Sequence, residues 1–240
     1  GACTTLWTTS VHEVVVPHYP LFEYPPYSLA LASKMAEVAR HQKLDLMHVH
    51  YAVPNAISAI LAKQILAPQP LAVVTTLHGT DITLVGNDPS YLETTRFGLR
   101  MSDAVTSVSS SLRGATVEQL GLDASRIEVI PNFIDPQRFE EVRGPAGARR
   151  WAKPGEKILL HISNFRPVKR AMDVIDIFEK IKNELPAKLL LVGEGPDTVL
   201  VRRQINKRGL QDKVIFLGNQ SRVEAVLPCA DLFLLPSEEE

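Results

Sequence analysis

The strongest constraint on this chain is a rhythm in which apolar runs of strand length alternate with segments that repeat their apolar residues at helical spacing. That alternation is the sequence form of a parallel sheet whose strands are joined by helical crossovers. In the first half, strands are expected at Leu44 to His50, Leu71 to Leu77, Ala104 to Val108 and Ile127 to Ile130. From Ser28 to Arg40, Leu29, Ala32, Met35, Ala36 and Ala39 mark one helical face. Pro54 is placed to open the next helix, where its missing N–H costs nothing. Ser109 fits an N-cap and Gly121 the left-handed residue that ends the same helix. From Val142 to Arg150, Gly, Pro and charge replace the periodicity, and the stretch reads as an interdomain linker. Strands then resume at Lys157 to Ile162, Ala187 to Val192, Lys213 to Leu217 and Asp231 to Leu235. Helices are expected from about Asp173 to Lys182, from Asp197 to Arg208, and briefly from Ser221. The expected fold is α/β, with two Rossmann-like parallel-sheet domains, 1–146 and 147–240, facing a ligand cleft at the carboxyl ends of their strands.

Composition narrows the function. The 26 Lys and Arg nearly cancel the 27 Asp and Glu, so no long-range field draws the chain to nucleic acid or an anionic membrane, and any phosphate must be held by a local site. Cys3 and Cys229 form no CxxC or Cys/His pattern, which fits a reducing compartment and offers no metal cluster. No apolar run is long enough to span a bilayer and no signal-peptide pattern opens the chain, so a cytoplasmic protein is expected. The dinucleotide Gly-x-Gly-x-x-Gly, the P-loop, the Gly-x-Ser-x-Gly elbow and His-Glu-x-x-His are all missing, which disfavours NAD enzymes, P-loop NTPases, serine hydrolases and zincins.

On such sheets the chemistry gathers just past each strand. His48-Val49-His50-Tyr51 and Leu77-His78-Gly79-Thr80-Asp81 end two of them. Alternation puts His48 and His50 on one face, with one of them in the core and the other toward the cleft, although a hydrogen-bonded packing role suits either. His78 sits before a Gly that permits a tight turn, and Asp81 either orients its imidazole, binds a sugar hydroxyl or caps the following helix. Ser163-Asn164-Phe165-Arg166-Pro167-Val168-Lys169-Arg170 places three cations at a helix start, where the dipole prefers anions. Either the loop is simply solvated, or backbone amides with Arg166 and Lys169 clamp a diphosphate. In Leu191-Val192-Gly193-Glu194-Gly195-Pro196 the small residues serve a tight strand-to-helix turn or let the backbone approach a nucleotide.

The phosphate loop, the glycine turn, Phe216-Leu217-Gly218 and Leu235-Pro236-Ser237-Glu238-Glu239-Glu240, in that order, resemble the donor domain of glycosyltransferase family 4, retaining enzymes of GT-B fold. Several first-half motifs, including Tyr24-Pro25-Pro26-Tyr27, His48-Val49-His50-Tyr51-Ala52, Thr75-Thr76-Leu77-His78-Gly79-Thr80-Asp81, Arg96-Phe97-Gly98 and Asn132-Phe133-Ile134-Asp135, are similar more narrowly to its malate-accepting N-acetylglucosaminyltransferases. The resemblance implies transfer of N-acetylglucosamine from UDP-N-acetylglucosamine to L-malate, the first step of bacillithiol biosynthesis, with no metal cofactor and a possible homo-oligomer. It implies Arg166 and Lys169 on the diphosphate, Glu240 on the donor sugar as the first Glu of an E-x7-E pair, and His78 near the transferred sugar. Asn164, Gly193, Glu194, Gly195 and Leu217 would line the donor, and Tyr51, Thr76, Arg96 and Asn132 the malate side. The wider family carries Arg at the column of Asn164, a Gly-rich loop upstream of His12, and a second Glu eight positions after Glu240. The chain is therefore expected to be an internal fragment, inactive by itself. Another acceptor (inositol phosphate, a lipid or a sugar), a UDP-sugar epimerase and a UDP-sugar-binding module without turnover are the alternatives.

Overall fold

The structure is a computed structural model that describes residues 10–16, 20, 23–83, 85–86, 88–140 and 151–238, the side chains of Arg138 and Glu140 excepted. The expected linker at 142–150 and the expected domain boundary at 146/147 lie outside these residues. The chain divides into two compact units, Gly1–Phe133 and Ile134–Glu240.

In the first unit, four parallel strands, β1 (Leu46–His50), β2 (Ala72–Leu77), β3 (Ala104–Ser107) and β4 (Ile127–Val129), stand in the order β1-β2-β3-β4. Between them run helices α1 (Tyr27–Gln42, before β1), α2 (Ile57–Leu66), the single turn α3 (Thr80–Thr83), α4 (Leu92–Met101) and α5 (Ser110–Leu120). Ser109 caps α5 by accepting the Leu112 N–H at 3.1 Å, and Gly121 closes it at φ 63°. Val53 is extended (φ −118°, ψ 133°), the conformation a following proline favours, and helical backbone opens at Pro54 as expected, passing into the regular α2 at Ile57. The register aligns Met47 with Val73, Thr75 with Val105, and Val105 with Ile127, so these residues share a face. Ala36 and Ala39 of α1, Ile60 and Leu66 of α2, Leu99 of α4 and Leu112 and Leu120 of α5 cover it. The opposite face presents His48, His50, Thr76 and Thr106.

The second unit has parallel strands β5 (Lys157–Ile162), β6 (Ala187–Val192), β7 (Val214–Gly218) and β8 (Leu232–Phe233) in the order β7-β6-β5-β8, with helices α6 (Pro136–Glu140), α7 (Ala171–Glu184) and α8 (Thr198–Lys207). The two central strands of this sheet, β5 and β6, are buried on both faces. Leu159, Leu189 and Leu191 pack under α7 and α8, while Ile158, Leu160, Leu190 and Val192 meet Val226. The short helix expected from Ser221 is two 3₁₀ turns, Val223–Ala225 and Leu227–Cys229, the second holding Pro228, which lacks the N–H a longer helix would use. β8 is shorter than expected at its start, where the Asp231 N–H still bonds the Ile158 carbonyl (2.8 Å) but the Ile158 N–H is taken by the Asp231 carboxylate (2.8 Å), which also pairs with Lys157 (3.0 Å).

Candidate functional site

The carboxyl end of the first sheet is built from histidines. His50 Nδ1 lies 2.8 Å from His78 Nε2, so one proton is shared between two rings whose other nitrogens stay available. The Tyr51 ring is 4.9 Å from that of His78, and His48 is 4.6 Å from His50. Both β1 histidines are exposed, so neither is the core residue that alternation allowed for. His48 is held below the ordinary imidazole pKa, first by desolvation and then by repulsion from His50 and His78. Its Nε2 is 2.7 Å from Thr76 Oγ1, which lies 2.6 Å from Thr106 Oγ1, and this polar chain crosses three strands. Two of the bonding positions of the Thr76 hydroxyl are thus taken by neighbours, leaving little for a substrate.

Asp81 is neither the imidazole's partner nor an exposed ligand. Its buried carboxylate accepts the N–H groups of Ala52 (2.9 Å), His78 (3.1 Å) and Gly79 (3.0 Å), tying the loop after β1 to the loop after β2. Gly79 can make that turn because its φ is +122°.

One further expectation is relocated. Arg96 sits on α4 and donates to the carbonyls of Leu120 (3.1 Å) and Gln119 (3.3 Å) while pairing with Glu93 at 2.7 Å. α5 returns from the carboxyl end of β3, so its last turn lies at the opposite end of the sheet, and the guanidinium completes that helix terminus. Asn132 is exposed three residues past β4. It shares the carboxyl edge with Tyr51, at the opposite side of the β1-β2-β3-β4 order.

In the second unit Ser163 to Arg166 leave β5, a 3₁₀ turn covers Pro167–Lys169, and α7 begins at Ala171. The turn spends the amides of Lys169 and Arg170 on the carbonyls of Arg166 and Pro167, so the outward charge of the loop rests on side chains. Arg170 pairs with Asp173 in the first turn of α7 at 2.6 Å, which neutralises one of the three cations locally. Arg166 and Asn164 are exposed and Lys169 is half-buried. Gly193 and Gly195 are required by the protein's own backbone. A Cβ would lie 2.0 Å from the Ser163 carbonyl oxygen at Gly193 (φ +103°), and 1.7 Å from that of Asn164 at Gly195. Glu194 is exposed at this turn, Leu217 is half-buried near the end of β7, and the Gly193 N–H bonds the Gly218 carbonyl at 2.8 Å. After β8 the chain runs beside the loop that follows β5, where the Glu238 N–H bonds the Val168 carbonyl at 2.9 Å. Glu240 lies outside the described residues. Sequence reading passed over His161, buried in β5, and Thr106; a polar side chain inside a strand-length apolar run was the available signal for the first.

Among the described residues no group of His, Cys, Asp and Glu could hold a metal ion, and no helix is long and apolar enough to cross a membrane. The model of glycosyltransferase family 4 matches residues 4–138, and that of glycosyl transferases group 1 matches 148–240. The chain belongs to glycosyltransferase family 4. Within family 4 it is 49% identical over 230 residues to N-acetyl-alpha-D-glucosaminyl L-malate synthase of Bacillus anthracis, a match covering 95% of this chain and 60% of that protein. Anabaena Alr3699/HepE, solved in complex with UDP and glucose, superposes with a TM-score of 0.68 at 19% identity, over 89% of this chain and 56% of its own. Sucrose-phosphate synthase from Thermosynechococcus elongatus gives 0.67 at 20% identity, over 94% and 59%. The paired α/β units are thus those of the GT-B fold, and the chain spans about 60% of the length of these relatives.

Proposed function

We propose that the protein transfers N-acetylglucosamine from UDP-N-acetylglucosamine to the hydroxyl of L-malate, with retention at the anomeric carbon and without a metal cofactor, as the first step of bacillithiol biosynthesis. The observation that carries this reading is the 49% identity to the N-acetyl-alpha-D-glucosaminyl L-malate synthase across nearly the whole chain. The bond from the anomeric carbon to the β-phosphate oxygen breaks, the bond to the malate oxygen forms, and the hydroxyl proton ends on the departing diphosphate. The main demand is therefore neutralisation of a leaving anion. In the second unit Arg166 and Lys169 meet it, on a loop whose shape Gly193 and Gly195 allow, with Asn164, Glu194 and Leu217 along the donor and Glu240 on its sugar. In the first unit His78, oriented by His50, faces the transferred sugar, and Tyr51 and Asn132 serve the acceptor. Thr76 acts through His48, and Arg96 is withdrawn from the acceptor set.

The test is incubation of the protein, at its full natural length, with UDP-N-acetylglucosamine in the presence of EDTA. UDP release that begins only when L-malate is added, with an α-linked glucosaminyl malate as product, is the expected result. Release without malate, with another acceptor only, or abolished by EDTA overturns the corresponding part, and interconversion of UDP-sugars without an acceptor favours an epimerase.

A further inference from the structure

We propose that His161 is a positioning residue for the diphosphate loop, fixing Ser163 and with it the backbone from which Arg166 and Lys169 project, and tying that loop to the segment after β8. This inference rests on the donor site proposed above. His161 is the one polar side chain within the apolar run Ile158 to Ile162 of β5 and is fully buried, on the same face as Leu159 and with its ring 5.7 Å from that of Phe165. An imidazole so placed is costly unless both nitrogens are bonded, and both are. Nδ1 lies 2.9 Å from the Leu234 carbonyl oxygen and Nε2 2.8 Å from Ser163 Oγ.

The partners dictate the direction of each bond. A carbonyl only accepts, so Nδ1 carries the hydrogen, and the neutral ring leaves Nε2 to accept the Ser163 hydroxyl hydrogen. Ser163 Oγ in turn accepts the Phe165 N–H at 3.2 Å. One oriented chain therefore runs from the loop amide through the core to the strand-end carbonyl. Burial, helped by the nearby charge of Lys169, outweighs the opposing pull of the Leu234 bond and holds His161 below the ordinary imidazole pKa, which favours the neutral form the chain needs.

What the chain holds is an unfavourable backbone conformation. Phe165 sits at φ +41°, a left-handed value costing about 1 kcal/mol for a residue with a Cβ. It is kept there by Ser163 on its N–H, by the Asp197 N–H on its carbonyl at 2.9 Å, and by its buried ring. The other arm of His161 grips the segment whose Leu234 N–H bonds Leu160 at 2.8 Å and whose Glu238 N–H bonds Val168 at 2.9 Å. An apolar ring would satisfy the packing of β5. The imidazole adds a tie between the two stretches that converge on the donor.

The experiment is calorimetric titration with UDP and with uridine, on full-length wild type, Ser163→Ala, His161→Phe, His161→Asn and the Ser163→Ala/His161→Phe double variant, well below their melting temperatures. Asn keeps a donor for the Leu234 carbonyl and loses the Ser163 arm. We expect UDP affinity to fall about tenfold in each single variant. Uridine, which lacks the phosphates, keeps its affinity, and the double variant is no weaker than either of its parents because both act through one bond. Folded variants that bind UDP as wild type does, that lose UDP and uridine equally, or whose losses add in the double variant overturn the inference. If His161→Phe does not fold, Ser163→Ala carries the same test. Wild type that fails to bind UDP overturns both the transferase reading and this inference, whereas the variant outcomes bear on this inference alone.

Discussion

The two sheets share a parallel design and dispose of their polar residues in opposite ways. The first buries one face and carries His48, His50, Thr76 and Thr106 on the other, so its chemistry-bearing groups are side chains that bond one another across strands. The central strands of the second are apolar on both faces apart from His161, which leaves the charge of the proposed donor site to the loops beyond the strands, and leaves the backbone, shaped by Gly193, Gly195 and the buried His161, to aim it. A site made of side chains is altered by changing functional groups. A site made of loop backbone is altered by changing shape, even where the changed atom never meets a ligand.

The largest expected effect follows from the shape-built loop. Gly195→Ala should cost about 3 kcal/mol of unfolding free energy in urea titration, because its methyl has nowhere to go but into the Asn164 carbonyl. A loss below about 1 kcal/mol would mean that the loop yields, and would break the contrast. Lys169→Ala sharpens the same contrast from the other side. Turnover should fall about a hundredfold, while stability shifts by less than about 0.5 kcal/mol; matched losses in melting temperature and rate would make the cation structural. For the first unit, Arg96→Ala should lower stability by about 1 kcal/mol, since two helix-end carbonyls lose their donors, and leave the KM for malate unchanged. A raised KM would return Arg96 to the acceptor site. The smallest effect is in pH. His161 is held neutral below the ordinary imidazole value of 6.5, so between the folded and unfolded pKa values the unfolded chain binds more protons. Stability should therefore decline as pH falls below about 6.5, and His161→Phe should flatten the decline in urea titrations at pH 7.5 and 5.5.

Strands with apolar residues on both faces were legible to the residue. β5 and β6 run over the expected Lys157–Ile162 and Ala187–Val192, since no alternative placement would bury so continuous a run. The caps Ser109 and Gly121 were equally legible, because their geometry is local. Legibility failed where partners come from afar. Nothing in the spacing of His78 and Asp81 shows that the carboxylate is taken by three amides, one of them 29 positions earlier at Ala52. Arg96 read as a carboxylate partner because its true acceptors, the carbonyls of Gln119 and Leu120, bear no mark in sequence. The glycine turn was found for the right flexibility, but the atoms crowding it belong to Ser163 and Asn164 and become visible only once the loops are packed.

The knot at Asp81 has a consequence for how this end of the first sheet moves. With one carboxylate holding the amides of Ala52, His78 and Gly79, the loops after β1 and β2 cannot open separately without stranding a buried negative charge. Whatever settles on Tyr51 therefore also stills the backbone under His78. In the proposed transferase, acceptor and sugar recognition in this unit would then be mechanically one event, shared through an aspartate that touches neither.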